Sequence, residues 1–266
     1  MYRAHKKADP APNRVKPVPT EILQFFIQQT NRNPSPLNTV IADMLVLAFF
    51  FLLRPGEYTS AESTSHPFLL RDVAFRVGFR YINPLTASLE DIRSATFVTL
   101  TFSTQKNAVR GEVVGLGRSG DPYLCPVRAV IRRVVHLRQN FASHKTPLSA
   151  YFLHNAQHPK HLPSAVLTLA LRQAATLLGP RLGFKPLDIS ARSLRAGGAT
   201  ALLCANVSGD FIKLLGRWRS DEMLRYLHLQ AYQRMKDIAP AMVQSGAFEF
   251  LQGPNPNAPD TTPGGD

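Results

Sequence analysis

Three short segments of this chain place side chains together that could work on an anion. The first is Leu53-Arg54-Pro55-Gly56-Glu57, which follows the longest apolar run, the ten residues from Met44 to Leu53. A guanidinium leaving a buried helix needs a partner, and Glu57 is the nearest candidate. Alone, this segment reads first as a structural ion pair at a helix end. The second segment is Ser190 to Thr200. Arg192 and Arg195 stand three apart, which predicts one helical face where two cations repel unless an anion lies between them. The competing reading is a solvated basic face. Gly197 and Gly198 weaken a helix, so they predict close approach of another backbone. The third segment is Leu215-Gly216-Arg217-Trp218-Arg219-Ser220, with the chain's only tryptophan, and Tyr226 follows it. A lone tyrosine on a helix is more often a packing residue than a nucleophile.

The elements that must position these residues are mostly helical. The spacing predicts a helix over 20–29, with Thr20 as N-cap and an apolar face of Ile22, Leu23, Phe26 and Ile27. A second, over 37–53, is apolar nearly all round and stops at Pro55-Gly56. Stretches 72–81, 96–103 and 109–115 are rich in Val, Phe and Thr and read as strands, with Lys106 at or beside a hairpin turn. Pro126 opens a helix with Val127, Val130, Ile131, Val134 and Val135 on its inner face and Arg128, Arg132 and Arg133 flanking or opposing it. Further helices are expected at 164–178, capped by Gly179, and at 191–205, 208–215 (closed by Gly216) and 220–236. The expected fold class is mainly α with a small antiparallel β-sheet (α+β). The expected organisation is a basic, Pro-rich arm over 1–19, a core over 20–250 and a disordered tail over 251–266.

Composition narrows the function. The chain has 266 residues, with 31 Lys+Arg against 18 Asp+Glu, a net charge of +13. At 44 % hydrophobic and 18 % charged residues it is no disordered chain. Cys125 and Cys204 are too few for a disulfide framework or a four-cysteine zinc site, and read as small core residues. His154, His158 and His161 have a spacing that could suit a metal, but Pro159 interrupts them and no acidic or Cys ligand stands nearby, so a polar loop is expected. No secretion signal opens the chain, and ten apolar residues are about half of what a membrane-spanning helix needs. Neither secretion nor a membrane location is expected. The excess of positive charge favours a polyanionic partner, nucleic acid first, although a merely basic surface would also produce it.

Taken in chain order, Leu53-Arg54 with Glu57, Lys106, Arg192-Ser193-Leu194-Arg195, Leu215-Gly216-Arg217 and Arg225-Tyr226 resemble the catalytic boxes of tyrosine recombinases, the phage-integrase-like DNA breaking-rejoining enzymes. The resemblance covers roughly residues 16–240. RPGEY, SLRAGGAT, CPVRA and the GRW box look closest to recombinases of eukaryotic mobile elements such as the crypton-like families. The resemblance implies an integrase-like catalytic core and a nucleophile at Tyr226, which would form a 3′-phosphotyrosyl link. It implies that Arg54, Arg192 and Arg195 hold the phosphate oxygens and that Lys106 protonates the leaving oxygen. Arg217 or Trp218 would support the phosphate, with Trp218, Arg219 and Lys213 against DNA. It further implies double-stranded DNA as partner, four protomers assembled on it, no cofactor, metal or ATP, and a nuclear location in a eukaryote or the nucleoid or cytoplasm otherwise. Three departures stand out. The usual histidine is Arg192, which cannot act as a base. Arg217 replaces the usual His/Trp. Only about nineteen residues precede the core, so the family's N-terminal clamp is expected to be missing or encoded elsewhere. A second reading is a transposon-derived DNA-binding protein that has lost strand cleavage; a type IB topoisomerase is a third.

Overall fold

The computed structural model describes residues 15–59, 67–103, 111–154, 156–218 and Pro240. All but Pro240 belong to a unit over 1–228; residues 229–266 form a second. The described part is mainly α with one small antiparallel sheet. Its elements are α1 (Thr20–Arg32), α2 (Pro36–Phe50), the single turn α3 (Pro55–Tyr58), β1 (Val73–Val77), β2 (Arg80–Ile82), α4 (Leu89–Ser94), β3 (Phe97–Phe102), β4 (Glu112–Gly117), α5 (Pro126–Gln139), α6 (Ser164–Leu182), α7 (Ser193–Cys204) and α8 (Gly209–Leu215). No described helix is long and apolar enough to cross a membrane, and no described group of three His, Cys, Asp or Glu could hold a metal ion.

Helix α2 is the hub. Ser35 caps it by accepting the Asn38 N–H at 3.0 Å, Pro36 supplies the preset first φ, and every residue from Val40 to Phe49 is buried. It packs against α1, α5 and α7, which explains why it is apolar on all sides. Its one charged residue, Asp43, is fully buried and bonded by Arg132 Nε at 2.7 Å. Burial pushes the Asp43 carboxyl above its ordinary pKa. The helix is shorter than 37–53 because Leu52 turns into the left-handed region at φ +50, which breaks the ladder before Arg54.

The sheet runs β2-β1-β3-β4, all antiparallel. Stretch 72–81, expected as one strand, is a hairpin: Gly78 at φ +56 reverses the chain between β1 and β2. Val73, Phe75, Val98, Leu100 and Phe102 face the core. Residues 104–110, and Lys106 with them, lie outside the described residues.

Other boundaries moved for local reasons. Pro19 caps α1, Thr20 is its first residue, and the helix continues to Arg32. Helix α6 runs past Gly179 to Leu182, because Gly183 at φ +77 is the left-handed cap. Gly179 instead admits the Phe184 carbonyl, which a Cβ would meet at 2.4 Å. Helix α4 was not expected; Ser88 caps it by accepting the Asp91 N–H at 3.0 Å. Arg133 does not flank the core but lies in it at 1 % exposure, its Nε bonded to the Leu148 carbonyl at 2.9 Å and its Nη2 to that of Ala150. Cys125 is buried, Cys204 half-buried, and both are free thiols. The arm's last residues, 15–19, are docked: the Val18 N–H bonds the Ser193 carbonyl at 3.2 Å, and Lys16 Nζ pairs with Asp188 at 3.2 Å.

Candidate functional site

The three chemically suggestive segments meet where α2 ends. Leu52, strained at φ +50, presents its carbonyl to two guanidiniums: Arg195 donates through Nη1, and Arg217 through Nη2 at 3.2 Å. Such a backbone conformation costs roughly 1–3 kcal/mol in a non-glycine residue and persists only where its surroundings hold it. Two residues on, Arg54 caps the turn α3. Glu57 accepts the Arg54 backbone N–H at 2.8 Å and its Nη1 at 2.9 Å, then Arg217 Nη2 at 3.2 Å. One buried carboxylate therefore ties Arg54 to Arg217, which stands 160 residues beyond Glu57 in the chain.

Arg195 reaches this junction because α7 seats directly on α2. A Cβ on Gly198 would lie 2.1 Å from the Phe49 carbonyl, and one on Gly197 would lie 2.2 Å from the Val18 carbonyl. The expected close backbone approach is met at both glycines. Arg195, 3 % exposed, also donates through Nη2 to the Gly216 carbonyl, and the Trp218 ring covers its guanidinium at 4.0 Å.

Arg217 arrives through the end of α8. The Trp218 N–H bonds the Lys213 carbonyl at 3.0 Å and the Arg217 N–H bonds that of Leu214 at 2.9 Å, the paired closure of a Schellman motif. The left-handed position that glycine usually fills belongs here to Arg217, at φ +58, while Gly216 is ordinary at φ −79. Gly216 is needed for another reason: a Cβ there would lie 1.6 Å from the Trp218 ring. The Arg217 guanidinium stacks on Phe102 at 3.8 Å and donates to the carbonyls of Phe51 at 3.3 Å and Leu215 at 3.0 Å. Its Nε is buried without a hydrogen-bond partner among the described residues. Burial pulls its pKa down to about 10, with Glu57 opposing and Arg54 assisting. It remains a cation at neutral pH.

No family model and no curated protein matches the chain. Several solved structures are similar in fold, two of them as follows. One is XerA recombinase, at 11 % identity and a TM-score of 0.49, over 91 % of this chain and 67 % of that one. The other is the Tn1549 transposon integrase in complex with circular intermediate DNA, at 12 % identity and a TM-score of 0.44, over 88 % of this chain and 66 % of that one. This chain spans about two thirds of each.

Among the nine expected site residues, Arg54, Arg195, Arg217 and Trp218 come together. They differ in access. Arg54 keeps 28 % of its side chain exposed and bonds only Glu57 among the described residues, whereas Arg195 and Arg217 are buried. Arg192, the N-cap residue of α7, is exposed at the helix entrance, while Arg195 one turn on is buried. The Tyr58 hydroxyl, donated to the Ala191 carbonyl at 2.9 Å, ties the Arg54 turn to the residue beside Arg192. Burial raises the Tyr58 pKa, so this phenol is a strut and no ready nucleophile. Lys213 is half-buried in the last turn of α8. Lys106, Arg219 and Tyr226 lie outside the described residues. Reasoning from sequence missed Phe102 and the Leu52 carbonyl. The inward alternation of Val98, Leu100 and Phe102 signalled a buried ring, but nothing local pointed it at Arg217.

Proposed function

We propose that this chain is the catalytic part of a tyrosine-type DNA recombinase, which breaks and rejoins double-stranded DNA through a 3′-phosphotyrosyl intermediate at Tyr226. The observation that carries the reading is the convergence of Arg54, Arg195 and Arg217 on the Leu52 carbonyl and the Glu57 carboxylate. Charge builds on the non-bridging oxygens of a phosphoryl transition state, and planar guanidiniums can donate paired hydrogen bonds to it. Arg54, partly exposed and oriented by Glu57, meets the phosphate first. Arg195 lies buried at the same junction, and Arg192 adds an exposed cation at the entrance of α7. Arg217 acts from behind, holding Glu57 and the Leu52 carbonyl in place.

The balance of the reaction needs no external energy. The Tyr226 phenol gives up its proton to water and its oxygen bonds to phosphorus as the bond to the 5′-oxygen breaks; the leaving oxygen takes a proton from Lys106, and the phosphodiester energy is kept in the phosphotyrosine. Rejoining reverses the steps. Removing one such preorganised donor typically costs about 2.7–4 kcal/mol, or 10²–10³ in rate. On this reading four protomers assemble on the DNA.

The roles separate on a duplex whose scissile 5′-oxygen is replaced by sulfur, because a thiolate leaves without needing the proton. Lys106→Ala should fail on ordinary DNA and recover on the sulfur-bridged duplex, while Tyr226→Phe should cleave neither. Cleavage by Tyr226→Phe would refute the assignment of the nucleophile. Tight duplex binding by the wild-type chain with no cleavage of either substrate would leave only the binding protein.

A further inference from the structure

The sheet turns one face to the core, and among the described residues the other face is left uncovered. Across that open face, Arg76 of β1 stands directly opposite Tyr81 of β2 on one side and Phe97 of β3 on the other. Tyr81 is 56 % exposed, Phe97 36 %, and Val113 of β4 57 %. The next position across the same row is Gly117, and the Phe97 ring lies over Gly115, where a Cβ would come within 2.4 Å of it. By strand alternation the outward positions of the four strands carry no carboxylate.

We propose that this face binds single-stranded nucleic acid, with bases stacked on Tyr81 and Phe97 and the intervening phosphate at Arg76. Neighbouring strands are about 4.8 Å apart, so the backbone positions of Tyr81 and Phe97 stand about 10 Å apart with Arg76 between them. Aromatic rings accept any base by its π-face, and an arginine between them neutralises the backbone. A protein partner covering the same face would meet a bare, glycine-floored strand and an uncompensated cation at its centre. A chain of net charge +13 favours the polyanion. The strand is DNA on the reading proposed above. The face lies on elements other than those that carry Arg54, Arg195 and Arg217, so its occupancy does not need strand cleavage.

Fluorescence anisotropy with a labelled oligothymidylate, its oligouridylate counterpart and a duplex of equal length tests this. Both side chains are exposed, so Tyr81→Ala and Arg76→Ala should fold, which a thermal melt checks; Phe97→Leu offers a second probe that still covers Gly115. Tyr81→Ala should weaken oligothymidylate binding about tenfold, the double variant more, with duplex binding unchanged within about twofold. Tyr226→Phe should bind oligothymidylate like the wild type, so a failure of the cleavage reading is distinguishable from a failure here. The proposal is overturned if the wild type does not bind oligothymidylate or the variants bind it equally well. It is also overturned if they lose duplex in parallel, or if oligouridylate binds tenfold tighter.

Discussion

Arg217 holds a backbone conformation that glycine adopts freely and a large side chain does not, and it does so with its guanidinium almost wholly buried. Replacing it with glycine relieves roughly 1 kcal/mol of backbone strain but removes the guanidinium that donates to Glu57 and to the carbonyls of Phe51, Leu52 and Leu215. Breaking a buried pair costs about 3–5 kcal/mol, so Arg217→Gly should lower unfolding stability by about 2–4 kcal/mol in urea titration. A variant as stable as the wild type would show that the ion pair does not hold the junction. The Arg54–Glu57 pair was legible in the sequence, because a charge leaving an apolar helix must be met nearby. The role of Arg217 was not: besides Glu57 and the adjacent Leu215 carbonyl, its partners are the carbonyls of Phe51 and Leu52, and nothing in the local sequence marks them.

At the scale of elements, two contacts set how α7 and α5 sit. Gly198 lets α7 rest on the backbone of α2, and a methyl group there meets a carbonyl that cannot swing aside. Gly198→Ala should destabilise the protein by about 3 kcal/mol or more, the upper range for overpacking, measured by the midpoint of chemical unfolding; an unchanged midpoint would mean that the helices separate without penalty. Helix α5 is fastened to the following loop by His136, whose Nε2 accepts the Phe152 N–H at 3.2 Å. Burial, helped by the Arg133 cation, pulls the His136 pKa down to about 4. Between about 4 and 6.5 the unfolded chain binds the proton that the folded chain refuses, so stability rises with pH through this window and is lost as pH falls. His136→Gln, which can still accept a hydrogen bond, should flatten that rise; an identical slope in the variant would place the titration elsewhere. Helix α5 itself was readable from Pro126 and the valine spacing. The β1–β2 reversal and the continuation of α6 to Leu182 were not, because each turned on which glycine took a positive φ.

Across the whole molecule, the apolar hub α2 does two jobs: it fills the core, and its strained end gathers cations from two distant segments beside the adjoining Arg54. The fold class and the main helices followed from composition and periodicity, whereas α4 and the division of 72–81 into two strands did not. The distribution of labour among the arginines did not, since it depends on which guanidinium is buried. The central claim is that this cradle serves a single scissile phosphate attacked by Tyr226. The most direct measurement is covalent trapping of the protein on a random-sequence library of nicked duplexes, with the DNA-linked peptide identified by mass spectrometry. The account predicts an adduct on Tyr226, absent in Tyr226→Phe and reduced about a hundredfold in Arg54→Ala while duplex binding persists. An adduct on another residue, or binding across the library with no adduct at all, would contradict it.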